Sequence, residues 1–97
     1  MTQKTETPDG GSLSFRLILA SRVKKEILER NWGQVEAAKN LETSQSRISY
    51  VMNLKVEELA EKSLLKMLIL LGHEIDSELV EEHGEEFIRV EIHKPTK

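Results

Sequence analysis

The chain has 97 residues, 38% apolar and 32% charged, and no cysteine. That is enough for one compact domain of ordinary composition, and it excludes disulfides and thiolate metal sites. No apolar run reaches the roughly 18 residues a membrane span needs, and residues 1–12 have no secretory h-region, so a cytoplasmic location is expected. The net charge of −3 is uneven: nine Lys/Arg against six Asp/Glu over residues 1–55 give +3, and five against eleven over residues 56–97 give −6; only the first part suits phosphates, and a run such as Glu81, Glu82, Glu85, Glu86 otherwise reads as solvated surface.

Residues 1–12 (MTQKTETPDGGS) are polar, contain Pro8, Gly10 and Gly11, and read as a disordered arm. A first helix starts near Ser12 or Ser14, either of which can cap it. Leu17, Ala20, Val23 and Ile27 follow at helical spacing. Asn31 tolerates the left-handed conformation that ends many helices, Trp32 and Gly33 make the turn, and Trp32 reads as a core residue. A second short helix covers residues 34–41, with a break at Glu42 and Thr43. Ser44 caps a third helix that runs through Met52. After a connection at residues 53–56, a fourth helix is predicted over residues 57–71, stopped by Gly72.

The second half of that helix, LLKMLILL at residues 64–71, is apolar nearly all round. A surface helix needs one apolar stripe only, so the extra face calls for cover by the C-terminal segment or a second subunit. Beyond Gly72 the period changes. Ile88, Val90 and Ile92 alternate, as do Ile75, Ser77 and Leu79, and His83-Gly84 can turn between them as a hairpin. The competing reading is a short helix over residues 78–83 capped by Ser77; the alternation favours the hairpin.

Residues 34–53 (QVEAAKNLETSQSRISYVMN) carry the functional pattern. Two short helices that cross closely need small residues where they touch, supplied by Ala37 and Ala38. They need apolar residues to seal the crossing, supplied by Leu41, Ile48 and Val51. The outer side of the second helix is polar, with Gln45, Ser46, Ser49 and Tyr50.

This segment resembles the helix-turn-helix of the Xre or Cro-repressor family. From about Leu17 to Leu79 the chain is similar to the compact subgroup of HigA-type antitoxins and small prophage-like regulators, in which an apolar helix ends in Leu-Gly, here Leu71-Gly72. The family usually has Gly where this chain has Glu42, and Thr or Ser where it has Gly33. A left-handed Glu42 would cost about 1 kcal/mol relative to Gly.

The resemblance implies a mainly α fold, a lambda-repressor-like helix-turn-helix bundle of about four helices over residues 13–72. A C-terminal extension over residues 73–97, β in character, would follow and is a candidate for dimerisation. The second helix of the pair would lie in the major groove. Gln45 is the first candidate for base reading, since its amide can pair bidentately with adenine, worth about 1–3 kcal/mol of discrimination. Ser46, Ser49 and Tyr50 come second. Gln34 stands where the family contacts a phosphate, and Arg47, Asn53, Lys55 and, more weakly, Lys39 are further phosphate candidates. Each has a structural alternative: Tyr50 packing on the connection, for instance, or Arg47 pairing with a carboxylate.

No catalytic set, cofactor or metal site is expected. His73, His83 and His93 stand ten residues apart, whereas zinc ligands cluster, and Gly10-Gly11 precedes no strand–helix unit. The expected function is sequence-specific binding of double-stranded DNA by a small homodimeric transcriptional repressor, with an antitoxin role and a toxin partner open. The alternative is a protein-interaction module that works through residues 64–71 and the acidic half, without DNA binding.

Overall fold

The computed structural model describes residues 2–7 and 13–93. In chain order the elements are strand β1 (Thr2–Thr7), helices α1 (Leu13–Glu29), α2 (Gln34–Asn40) and α3 (Gln45–Met52), a 3-10 turn (Val56–Glu58), helix α4 (Glu61–Leu70), and strands β2 (Glu74–Glu82) and β3 (Glu85–His93). The chain is mainly helical: a four-helix bundle followed by an antiparallel hairpin.

Helix α1 is the centre. Phe15, Leu19, Val23 and Ile27 recur every four residues, Ala20 lies beside them, and all five are buried. Helices α3 and α4 pack on this stripe and bring Ile48, Val51, Leu64, Met67 and Leu68 into one core. Burying each large aliphatic side chain is worth about 1.5–3 kcal/mol. Leu17, expected on the stripe, is instead 43% exposed. It stands two residues from Phe15, about 200° round the helix. Ser14 lies inside α1 and not before it, and Ser12 is outside the described residues.

All four α-helices end the same way. One residue turns left-handed, and two backbone N–H groups reach back to carbonyls that the last helical turn leaves open. Asn31 (φ 57°) ends α1, with Asn31 N–H on Leu28 and Trp32 N–H on Ile27, at 3.1 and 3.2 Å. Glu42 (φ 53°) ends α2, with bonds to Lys39 and Ala38. Leu54 (φ 54°) ends α3, and Gly72 (φ 97°) ends α4. Only Gly72 takes this conformation without steric cost.

The fourth helix starts four residues later than the expected residue 57. Residues 56–58 form the 3-10 turn, and Leu59 is extended (φ −118°, ψ 136°). The cause is Arg16 on α1. Its guanidinium donates to the carbonyls of Leu59 (3.1 Å) and Val56 (3.4 Å), acceptors that a continuous helix would use itself. Leu59 gains a buried place in the core, at 2% exposure.

Strands β2 and β3 form the expected hairpin, in register from Glu74↔His93 to Glu82↔Glu85. His83 (φ 53°) and Gly84 (φ 79°) make its two-residue turn, the left-handed pair that matches strand twist. The short helix over residues 78–83 does not form. Val90 and Ile92 are buried against the helices and Ile75 packs beside them, while Leu79, farther out, is 68% exposed.

The disordered arm expected over residues 1–12 does not hold for residues 2–7. They form β1, antiparallel to β3 from Thr2↔His93 to Thr7↔Ile88, so the sheet order is β1-β3-β2. Pairing gives β3 a partner on both edges, and Thr2, Thr5 and Thr7 are β-branched residues suited to it. Residues 8–12 are outside the described residues.

The sheet is bolted to the bundle through a buried polar contact. His73, whose side chain is fully buried, donates from Nε2 to Glu26 Oε2 on α1 at 2.8 Å, and its Nδ1 lies 3.1 Å from the carbonyl oxygen of His93. Arg30 holds the other carboxylate oxygen of Glu26. Burial acts to raise the Glu26 pKa, but the hydrogen bonds from Arg30 and His73, with their charge, outweigh it and hold the carboxyl below its ordinary value.

Three outcomes are expected. Glu26→Ala leaves His73 Nε2 buried without a partner and destabilises the fold by about 1–3 kcal/mol, read from urea denaturation. Because the folded carboxyl is the stronger acid, its contribution is complete above the unfolded value of about 4.3 and fades as pH falls through the lower folded value; wild type therefore loses stability on acidification below about pH 4.3 more steeply than Glu26→Gln. Glu42→Gly relieves the left-handed strain at the end of α2 and raises stability by about 1 kcal/mol, since the Glu42–Lys66 pair it removes (3.8 Å) is more than 60% exposed at both ends and contributes little. A lower denaturation midpoint for Glu42→Gly would refute this.

Candidate nucleic-acid interface

Helices α2 and α3 are joined by residues 41–44. Leu41 and Ala37 are buried, and Ala38 is partly buried against the same core. Thus the small residues sit at the crossing, Ala37 more deeply than Ala38. Ser44, in extended conformation (φ −83°, ψ 155°), accepts from the Arg47 N–H through its side chain at 3.1 Å and fixes where α3 begins. At α2 the corresponding residue is Gly33, also extended, with no side-chain cap. A Cβ there would meet nothing within 4 Å, so the Gly in place of the usual Thr or Ser reflects no steric demand.

Helix α3 is two-sided. Ile48 and Val51 are fully buried and lock one side into the core. Gln45, Ser46 and Arg47 are exposed in its first turn, and Ser49 and Tyr50 are half-buried beyond them. Gln45 and Ser49 are four residues apart, as are Ser46 and Tyr50, so the four base-reading candidates form two neighbouring rows on one helix. Tyr50 also packs partly against the core, which holds its ring in place.

The phosphate candidates divide. Gln34 is exposed at the first position of α2, Lys39 in its last turn, and Lys55 just past α3. Arg47 is exposed and its guanidinium donates to Thr43 Oγ1 at 3.3 Å, a hydroxyl that orients the group without neutralising it. Asn53 is different. Its side-chain amide donates to the Ser49 carbonyl at 2.9 Å and lies 3.4 Å from Ser49 Oγ, capping the end of α3. It shapes the helix end and has less to offer a ligand.

Two cations were not apparent from the sequence pattern of the pair alone. Lys62 and Lys66 on α4 share with Thr43 and Arg47 the walls of a groove of about 500 Å³. Their i, i+4 spacing is the signal that would have found them. Residues 43–55 hold Arg47 and Lys55 and no acid, whereas β2 (EIDSELVEE) holds five acids and no base. The α3 segment and the acidic strand β2 therefore differ in charge, while the helix pair as a whole is balanced, with Lys39 and Arg47 against Glu36 and Glu42. Trp32 is part of the core packing, and Arg30 lies 5.5 Å from its ring centroid. His83 forms the hairpin turn and His93 ends β3.

An exposed polar helix face, held by a rigid core and flanked by cations, is the geometry that reads base edges in a DNA groove. Among the described residues no helix is long and apolar enough to cross a membrane. No curated protein and no solved structure matches the chain. A family model described as a helix-turn-helix domain matches residues 2–78, a span that takes in β1, all four helices and the first half of β2. The pair at residues 34–52 is the helix-turn-helix of the fold, and the chain belongs to this helix-turn-helix domain family.

Proposed function

We propose that this protein is a sequence-specific, double-stranded DNA-binding transcriptional repressor of the Xre type, acting as a homodimer. The observation that carries the reading is the division of α3, with Ile48 and Val51 buried on one side and Gln45, Ser46 and Arg47 presented on the other. Gln45 reads adenine through its amide, and Ser46, Ser49 and Tyr50 contact neighbouring base edges. Gln34, Arg47, Lys55 and Lys39 set the register on phosphates. Asn53 acts mainly through the shape of the α3 end.

The homodimer follows from the way such proteins read DNA, with two reading helices about 34 Å apart on an inverted repeat. The exposed Ile69 and Leu70 of α4 (58% and 41%) give it apolar surface to bury. Within this reading the HigA-type subgroup suggests an antitoxin whose acidic residues 56–97 meet a basic toxin. A cytoplasmic, non-enzymatic role fits the same picture.

The test is fluorescence anisotropy with the DNA upstream of the protein's own coding region and a scrambled duplex, at low and physiological salt. Preferential binding to the upstream DNA is expected, falling steeply with salt as phosphate contacts release counterions. Gln45→Ala should weaken specific binding about 5- to 150-fold, the equivalent of about 1–3 kcal/mol, while the circular dichroism spectrum stays unchanged. Arg47→Glu should weaken binding to both duplexes. Absence of binding even at low salt sinks the reading.

A further inference from the structure

β2 is an outer strand. β3 pairs with it on one side, and among the described residues nothing pairs with the other. Alternate residues along it turn backbone N–H and C=O groups toward that open edge. Free edges are usually guarded by charged side chains, Pro or a bulge. This one has no Lys, Pro or bulge and runs in unbroken register to the turn, and its charges are all carboxylates, five in nine residues (EIDSELVEE), which repel a like edge but not a cationic one.

Its two faces differ. On the face away from the helices the register sets Asp76 opposite Glu91 and Glu78 opposite Arg89. These four residues line a cleft of about 300 Å³, with three carboxylates against one guanidinium. Arg89 bonds Glu78 at 3.4 Å and His93 meets Asp76 at 3.1 Å, and across β3 the register sets Lys4 opposite Glu91. On the other face Leu79 is 68% exposed at the outer part of the strand. Along the edge the carboxylates of Glu74, Asp76 and Glu78 alternate with Ile75, Ser77 and Leu79.

We propose that the β2 edge is a docking site for an extended segment of a partner protein that adds as a fourth strand, with Lys or Arg at alternate positions and apolar residues between. The backbone edge supplies the ladder, the Asp76–Glu78–Glu91 cleft takes the cations, and Leu79 meets an apolar side chain. A second copy of this chain is a poor occupant. Antiparallel pairing of two β2 strands sets acids against acids, which repel across a ladder. The inference gives a surface to the partner-binding part of the proposed function and is independent of its DNA-binding part.

The full-length protein is titrated against three labelled nine-residue peptides: alternating Lys and Val, the same with a central Pro, and alternating Glu and Val. The Lys–Val peptide should bind at least tenfold tighter than either other peptide, slow amide exchange along β2, and lose at least tenfold in affinity to Glu78→Lys or Asp76→Lys. Exchange in the wild type tests the site even if a variant misfolds. Equal binding of the proline peptide would show charge attraction without strand addition and overturn the proposal. So would no binding, or self-association of the protein that the peptide displaces. Gln45→Ala serves as control: it should lose specific DNA binding and keep the peptide, so failure of one reading is distinguishable from failure of the other.

Discussion

Each α-helix in this protein is stopped by a single left-handed residue, and the path of the chain downstream depends on those four stops. Asn31 turns α1 into α2, Glu42 sets the crossing of α2 and α3, Leu54 leads α3 into the 3-10 turn, and Gly72 delivers the chain to the sheet. At Glu42 and Leu54 the conformation costs about 1–2 kcal/mol each. It persists because the same turn satisfies two otherwise open carbonyls and because Leu41, Ile48 and Val51 are buried only if the helices cross as they do. The crossing angle of the helix-turn-helix is thus held by core packing against local preference, the reverse of what a Gly at position 42 would allow.

The same tension explains which parts of the fold were legible in the sequence. Ser44, Gly72 and His83-Gly84 announce themselves because their residue types favour the local conformation they adopt, and the buried face of residues 37–51 follows from spacing. The elements that were misread are those decided by a distant partner. The start of α4 depends on Arg16, more than 40 residues earlier, and no window around residue 57 contains that information. β1 is polar and sits beside Pro8 and two glycines, so composition hides a strand that only β3 reveals. At the interface, exposure of Gln34, Lys39, Gln45, Ser46, Arg47 and Lys55 agrees with the pattern. The intrahelical bond of Asn53 to Ser49 depends on where α3 ends, which spacing does not state.

The helical bundle and the acidic hairpin share an apolar core that includes Val90 and Ile92, and they are joined in addition by one buried polar contact. His73 stands on the connection between α4 and β2, Glu26 on α1, and Arg30 just past the end of α1. Burying polar groups here is tolerated because each has a partner, and removing Glu26 takes the side-chain partner from both His73 Nε2 and Arg30. This couples the placement of the sheet to the helix on which α3 rests, so α3 and β2 keep a defined relation while differing in charge.

The β1–β3 pairing joins residues between 81 positions (Thr7 to Ile88) and 91 positions (Thr2 to His93) apart, while the helices are built from local bonds. Contacts of such separation form slowly, since a long loop must close before they are rewarded. During synthesis β1 emerges first and waits for its partner until β3 has been made. The helices can be in place by then, so the first strand to appear is the last to settle.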